Sequence, residues 1–379
     1  MVYRKALKSV KHEKRHTKLD ITNTLVLLVL LTLSCIMVYS ASMIGNKYGI
    51  FTSSVPVETT YFLKRQAIWA VLSFVTFIFI SVAIPFEVFR DKNILQYGFF
   101  AMVILLVIPF ASSSINGARS WIRLGALSFQ PSTLAQLFII IYMAFILETR
   151  KDKLRKVCTS NELINIFWIP LFLIAIIFFQ NDTGMMLITL SVVGIMTLCS
   201  NMHFKNIKRL LTLAVMAIVI VVALLFVKSA FSSGSSYRTN RIKVFLNPFS
   251  EDLSAAADQV INSYMPEAHT DFILAIIAEE LGLVGVLFVI GLLTALICRV
   301  IIAGTKSRNT FAAMYCIGFA SLLVVQSVVN IGGITASIPM TGVPLPFVSN
   351  GGSSMFILSI GLGIATNVLA HVKYIRGNK

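Results

Sequence analysis

The chain has 379 residues, 57% hydrophobic and 13% charged, with a mean hydropathy of +0.84. A soluble domain is nearer half apolar and about a quarter charged, so one soluble core is excluded, and so is disorder. What remains is an all-α polytopic membrane protein. Its formal net charge of +16 would suggest nucleic acid in a soluble chain, but here it has to be read by where the bases lie.

A helix needs about 20 apolar residues to cross the hydrocarbon core. Ten stretches qualify: 22–42, 66–84, 93–110, 132–148, 163–179, 184–202, 209–228, 272–298, 309–334 and 353–371. Their unbroken apolar runs argue for helices, since barrel strands would alternate. With the N-terminus inside, the inner segments are 1–21, 85–92, 149–162, 203–208, 299–308 and 372–379. Together with the flanking Arg209 they hold 23 of the 32 Lys and Arg. That asymmetry predicts ten spans with both termini cytoplasmic. The organisation that follows is a basic cytoplasmic segment, 1–21, one integral membrane domain, 22–371, and a cytoplasmic tail, 372–379. A large outer loop, 229–271, joins the seventh and eighth helices. The bases from Arg4 to Lys18 read as a retention signal that also touches anionic lipid, not as a nucleic-acid site. The first span is long for a signal peptide and reads as uncleaved. Cys35, Cys158, Cys199, Cys298 and Cys316 fall in spans or inner segments and lack metal-ligand spacing, so no disulfide is expected. Inverted repeats, a transporter signature, are not evident.

The unusual polar residues collect outside. Segment 111–131 sets Trp121 between Arg119 and Arg123, with Gly117 and Gly125 nearby. Composition favours a re-entrant or surface helix with an aromatic anchor. The alternative is a shelf where the Arg pair meets a lipid phosphate. In 229–271, Arg238, Arg241 and Lys243 sit against the topology rule and ask for an anionic partner such as a diphosphate. Pairing with the acids of the same loop (Glu251, Asp252, Asp258, Glu267, beside His269) serves equally well. Asp271 stands at the mouth of the eighth span, where partial burial makes a carboxylate a better proton acceptor. A helix N-terminal acid, with Thr270 as cap, is the plainer explanation. It leaves Glu279 and Glu280, deeper in the same span, unexplained. Segment 335–354 carries Pro339, Pro344, Pro346, Gly342, Gly351 and Gly352 and cannot be a regular helix. Its length and lack of charge predict a loop folded back into the bundle, lining a cavity with Asp271 and Trp121.

Six motifs, in order along the chain, resemble those of the SEDS family, which comprises FtsW, RodA and SpoVE. They are MVYSAS (37–42), NGARSWIRLG (116–125), QNDTG (180–184), PEAHTDFILAIIAEELGLVG (266–285), NIGG (330–333) and TGVPLPFVSNGGSS (341–354). The end of the first span and FLKRQ (62–66) look more like the division subfamily, FtsW, than the elongation subfamily. The resemblance implies a peptidoglycan glycosyltransferase of the bacterial cytoplasmic membrane, at the division septum. It polymerises lipid II onto a lipid-linked glycan beside a class B penicillin-binding protein, a transpeptidase, and other divisome membrane proteins. Nucleic acid is not implied. Asp271 matches the family's essential aspartate. Arg65, Arg119, Trp121, Asp182, Arg241, Glu267, His269, Ser349, Gly351 and Gly352 fall on motif positions expected to bind substrate.

Three positions depart from the family pattern. QPSE followed by Lys becomes Gln130-Pro131-Ser132-Thr133 followed by Gln136, so both members of an i,i+3 ion pair turn neutral together. Losing both costs far less than losing one, which reads as a compensated change. The QPD motif is Gln180-Asn181-Asp182, read as a small change of turn chemistry. A glycine-rich segment of roughly twenty residues, well within loop-closure tolerance, is missing between Tyr264 and Met265. The expectation is that a mobile loop belongs there and that the two residues are not directly bonded.

A sugar hydroxyl is a poor nucleophile, so Asp271 is expected to accept its proton. Arg119, Arg241 and Arg65, or a divalent cation (Mg or Mn), are expected to neutralise the leaving diphosphate. Two rival functions use the same residues: a lipid II flippase, and a non-catalytic scaffold for the transpeptidase.

Overall fold

The computed structural model describes residues 19–47, 57–111, 119–124, 127–213, 270–339 and 341–377. Their helices, in chain order, are α1 Ile21–Lys47, α2 Tyr61–Ala83, α3 Lys92–Val107, α4 Pro131–Thr149, α5 Ser160–Phe179 and α6 Thr183–Cys199. They continue with α7 (204–213), α8 Ile273–Lys306, α9 Thr310–Ile334 and α10 Gly352–Gly377. Eight are long and apolar enough to cross a membrane, α6 is a shorter apolar helix, and α7 leads into residues outside the described set. The polytopic all-α expectation therefore holds: nine of these helices lie on predicted spans, and α7 runs from the predicted inner segment 203–208 into the span predicted at 209–228.

The helix starts carry their own signals. Asp20, Asp91, Asp182 and Asn309 each accept a hydrogen bond from a first-turn N–H of α1, α3, α6 and α9. Thr159 and Glu162 form a reciprocal capping box on α5, satisfying donors that a helix leaves orphaned.

The largest boundary difference is at α8, which runs to Lys306 rather than 298. Arg299 stays within the helix because it reaches Asp20 and Asn23 of the first span, both at 2.5 Å. α8 is also bent: Gly282 has φ 62° and ψ −163°, a conformation essentially confined to glycine.

Contacts between helix ends sort into two faces, as alternating spans require. On the basic face, Arg299 meets Asp20, Arg90 pairs with Glu148 at 2.7 Å, and Asn206 binds the carbonyls of Leu154 and Lys156. On the outer face, the chain around 119–132, 180–184, 271 and 341–353 comes together.

In the bundle, α9 packs on α8, α4 and α6, and α10 packs most extensively on α2. Both α9 and α10 are mostly buried. Without a strong hydrophobic drive between helices in lipid, polar side chains act as glue. Asn23 donates to Thr366, Asn367 donates to the carbonyl of Ser81, and Tyr315 donates to that of Gly361.

Within segment 111–131, the described residues 119–124 and 127–130 do not form the re-entrant or surface helix that composition suggested. Strands β1 Ile122–Leu124 and β2 Leu127–Phe129 pair antiparallel, with Ile122 opposite Phe129. The reason is legible afterwards: Ile-Arg-Leu and Leu-Ser-Phe alternate with period two. The Tyr264–Met265 junction and most of the outer loop lie outside the described residues.

Candidate active site

Segment 341–351 is irregular and largely buried, so its backbone polar groups need partners. Four neighbouring side chains supply them. Asn330 donates to the carbonyl of Val343 at 2.8 Å, Gln326 to Pro344 at 3.0 Å, Ser34 to Val348 at 2.6 Å and Gln66 to Ser349 at 3.4 Å. The loop is thus fastened to α1, α2 and α9, as the fold-back expectation required. Within it, Ser349 is buried and its Oγ accepts from the N–H of Leu345 at 2.8 Å. Gly352 opens α10 against Trp69, where an added Cβ would lie 2.1 Å from the indole. These contacts give Ser349 and Gly352 packing roles, with Gly351 between them.

Two carboxylates flank this loop. Asp271 lies in the turn before α8, and its carbonyl accepts from Asn330 Nδ2 at 3.0 Å. The same amide group therefore holds both the aspartate's backbone and the loop. Asp271 lines a shallow cleft with Phe272, Asn330, Gly333, Thr341 and Val343. Trp121 is not part of this lining. The cap position of α8 is Phe272, without a side-chain cap, not Thr270 as the plainer explanation supposed. Glu279 and Glu280 do not line the cleft; both are exposed, and Glu280 accepts from Ser40.

Asp182 lies half-buried on the other side of the loop. Its Oδ2 accepts from Gln130 at 2.8 Å and Ser132 at 3.2 Å, and its Oδ1 from the N–H of Met185 at 3.3 Å. Burial pushes its carboxyl above the usual range, opposed by hydrogen bonds from Gln130, Met185, Ser132 and Ser120. Two residues on, Gly184 packs on Thr341 and Val343. Asp182 thus ties residues 130–132 to the start of α6.

The cations lie around this frame. Arg65 rests over the Tyr61 ring, 5.6 Å from its centroid, next to Gln66. Arg119 is exposed, and its N–H donates to the carbonyl of Gln180 at 2.8 Å. Neither is in an ion pair among the described residues. Half-buried Trp121 follows Ser120, one of the partners of Asp182. Arg241, Glu267 and His269 lie outside the described residues. The described residues do not build a divalent-cation site: no group of three or more His, Cys, Asp or Glu is close enough among them, and Asp182 is saturated by protein donors. The sequence reading missed Asn330, Gln66 and Gln326, although NIGG pointed to the first.

The neutral replacements on α4 are accommodated. Thr133 donates to the carbonyl of Gln130 at 2.7 Å, and Gln136 donates to the Met185 carbonyl and to Thr189 Oγ1 at 3.2 and 3.1 Å.

A bundle of apolar helices, with an irregular buried loop setting a carboxylate at one face, defines a polytopic membrane protein with a polar site at one surface. The family described as "Cell cycle protein", comprising FtsW, RodA and SpoVE, matches residues 21–265 and 255–374, two pieces that overlap around Tyr264–Met265. The chain belongs to this family. It is 30% identical to a "Probable peptidoglycan glycosyltransferase FtsW" of Geobacter sp. (strain M18), over 92% of this chain and 97% of that one. It is also 30% identical to the protein of that name from Bacillus subtilis (strain 168), over 91% and 89%. In fold it resembles a chain of the solved structure "Structural coordination of polymerization and crosslinking by a peptidoglycan synthase complex". That match has a TM-score of 0.68 and 24% identity, and covers 93% of this chain and 98% of the other.

Proposed function

We propose that this protein is a peptidoglycan glycosyltransferase that polymerises lipid II at the outer face of the bacterial cytoplasmic membrane, in septal wall synthesis. The activity class is that of the relatives named above. The observation that carries the site assignment is Asp271, held by Asn330 against the 341–343 loop in an open cleft. The 4-hydroxyl of the acceptor attacks the anomeric carbon of the lipid-linked glycan. Its proton passes to the Asp271 carboxylate as the bond from that carbon to the lipid diphosphate breaks. Attack from the opposite face inverts the centre and gives a β-1,4 link. Arg119, Arg65 and Arg241 stabilise the departing diphosphate, Arg by its bidentate fork. A class B penicillin-binding protein cross-links the product.

Purified protein incubated with labelled lipid II, alone and with its transpeptidase partner, is expected to give a ladder of glycan chains. Translocation of lipid II without any polymer would support the flippase instead. Arg119→Ala and Arg241→Ala should each lower the rate by about 10- to 100-fold, the cost of a lost charged hydrogen bond, with folding intact. Lys at either position should rescue only part, because it keeps the charge and loses the fork. Full activity of the Ala variants would remove the diphosphate role.

A further inference from the structure

On the basic face, remote from Asp271, a cleft of about 500 Å³ opens between α3, α4 and α5. Its deeper wall is aromatic, formed by Phe99, Tyr142, Phe145 and Trp168, with Phe99 and Trp168 edge-to-face at 5.3 Å. Lys92, the first residue of α3, and Arg150, which caps the end of α4, stand at its rim. No acid lines it. Three of the neighbouring acids are engaged elsewhere: Glu148 with Arg90 at 2.7 Å, Glu162 with Lys153 at 2.8 Å, and Asp91 with the N–H of Asn93 at 2.7 Å. Neither Lys92 nor Arg150 is in an ion pair among the described residues.

The spacing fits an amphipathic occupant. Phe99 lies about two helical turns from Lys92, and Phe145 and Tyr142 about one and two turns from Arg150. The aromatic wall is therefore about 7–12 Å deeper in the bilayer than the two cations. An interfacial layer about 5–8 Å thick separates lipid phosphate from hydrocarbon. A free anion would satisfy the rim and leave the wall unused, while an apolar helix would cover the wall and bury the cations unpaired.

We propose that this cleft holds one anionic glycerophospholipid of the basic-side leaflet. Its phosphate sits between Lys92 and Arg150, and its upper acyl chains lie against Phe99, Phe145 and Trp168. Two cations without an acid select a net-negative head group over a zwitterion, whose ammonium would meet the same two charges.

Native mass spectrometry of the intact detergent-purified protein, given equimolar phosphatidylglycerol and phosphatidylcholine, tests this. One phosphatidylglycerol is expected to be retained in preference by about tenfold or more. Lys92→Gln with Arg150→Gln should abolish the preference. So should Gln96→Glu, which puts an acid in the wall while removing no cation. Lys151→Gln with Arg155→Gln, on the same face and outside the cleft, should leave it intact. Equal retention of both lipids, a preference that survives in the cleft variants, or one lost equally in the control pair would overturn the site. Displacement of the bound lipid by equimolar glycerol phosphate would show a site for free phosphate and overturn the lipid assignment.

Discussion

Asn181 has a φ of 65°, and its N–H donates to the carbonyl of Phe178 at 3.1 Å. Asn tolerates the left-handed region because its short polar side chain bonds locally. Proline, which the family resemblance would place here, is locked near −65° and has no N–H. The substitution read from the sequence as a small change is therefore a different turn, and it sets the approach to Asp182. Asn181→Pro should destabilise the protein by on the order of 3 kcal/mol or more, whereas Asn181→Gly should change stability by less than about 1 kcal/mol. Thermal unfolding in detergent checks both; an unaffected Pro variant would mean that the backbone can turn either way. Asn330 does more than NIGG alone foretold, because one buried amide group holds both the Asp271 backbone and the 341–343 loop.

At the level of elements, helix α4 meets α6 through neutral polar groups where the family resemblance implies an ion pair. Thr133 and Gln136 are both buried, so a single charge there has no partner. Thr133→Glu alone should cost about 3–5 kcal/mol, and adding Gln136→Lys should recover most of it. A double-mutant cycle on unfolding measures that coupling, and simple additivity would contradict the compensated reading. Helix α8 gives a second case. A Cβ on Gly282 would meet nothing within 4 Å, so Gly282→Ala isolates backbone strain from packing. It should cost about 1–3 kcal/mol and, by straightening the helix that follows Asp271, lower polymerisation more than lipid II binding. Unchanged stability and turnover would make the bend incidental. Helix positions were legible because apolar runs near bilayer length leave few alternatives. The hairpin was not, because two three-residue strands give too short an alternation to outweigh an aromatic anchor flanked by Arg. The bend at Gly282 was hidden in an unbroken apolar run.

Across the whole molecule, charge placement had already assigned the two faces, and the contacts between helix ends follow that assignment. Arg299, Arg90 and Asn206 tie the basic face, while the 341–351 loop ties the other. What sequence could not supply is which polar residues converge. Asp182, Gln130 and Ser132 are distant in the chain and close one network beneath the hairpin. The result is two half-buried acids, Asp182 with its carboxylate held by that network and Asp271 lining the cleft, divided by one loop. The hydrogen bonds around Asp182 give it a structural part, and the proposed function gives proton acceptance to Asp271.

Glycan-chain length from labelled lipid II, compared between the wild-type protein and Asp271→Asn, tests that assignment most directly. Asn is nearly isosteric and keeps the backbone carbonyl that Asn330 holds, so folding and transpeptidase binding should be unchanged. The carboxylate is gone, and polymerisation should fall by at least about 100-fold, the lower range for loss of a general base. Polymerisation at the wild-type rate by a folded Asp271→Asn variant would contradict the account.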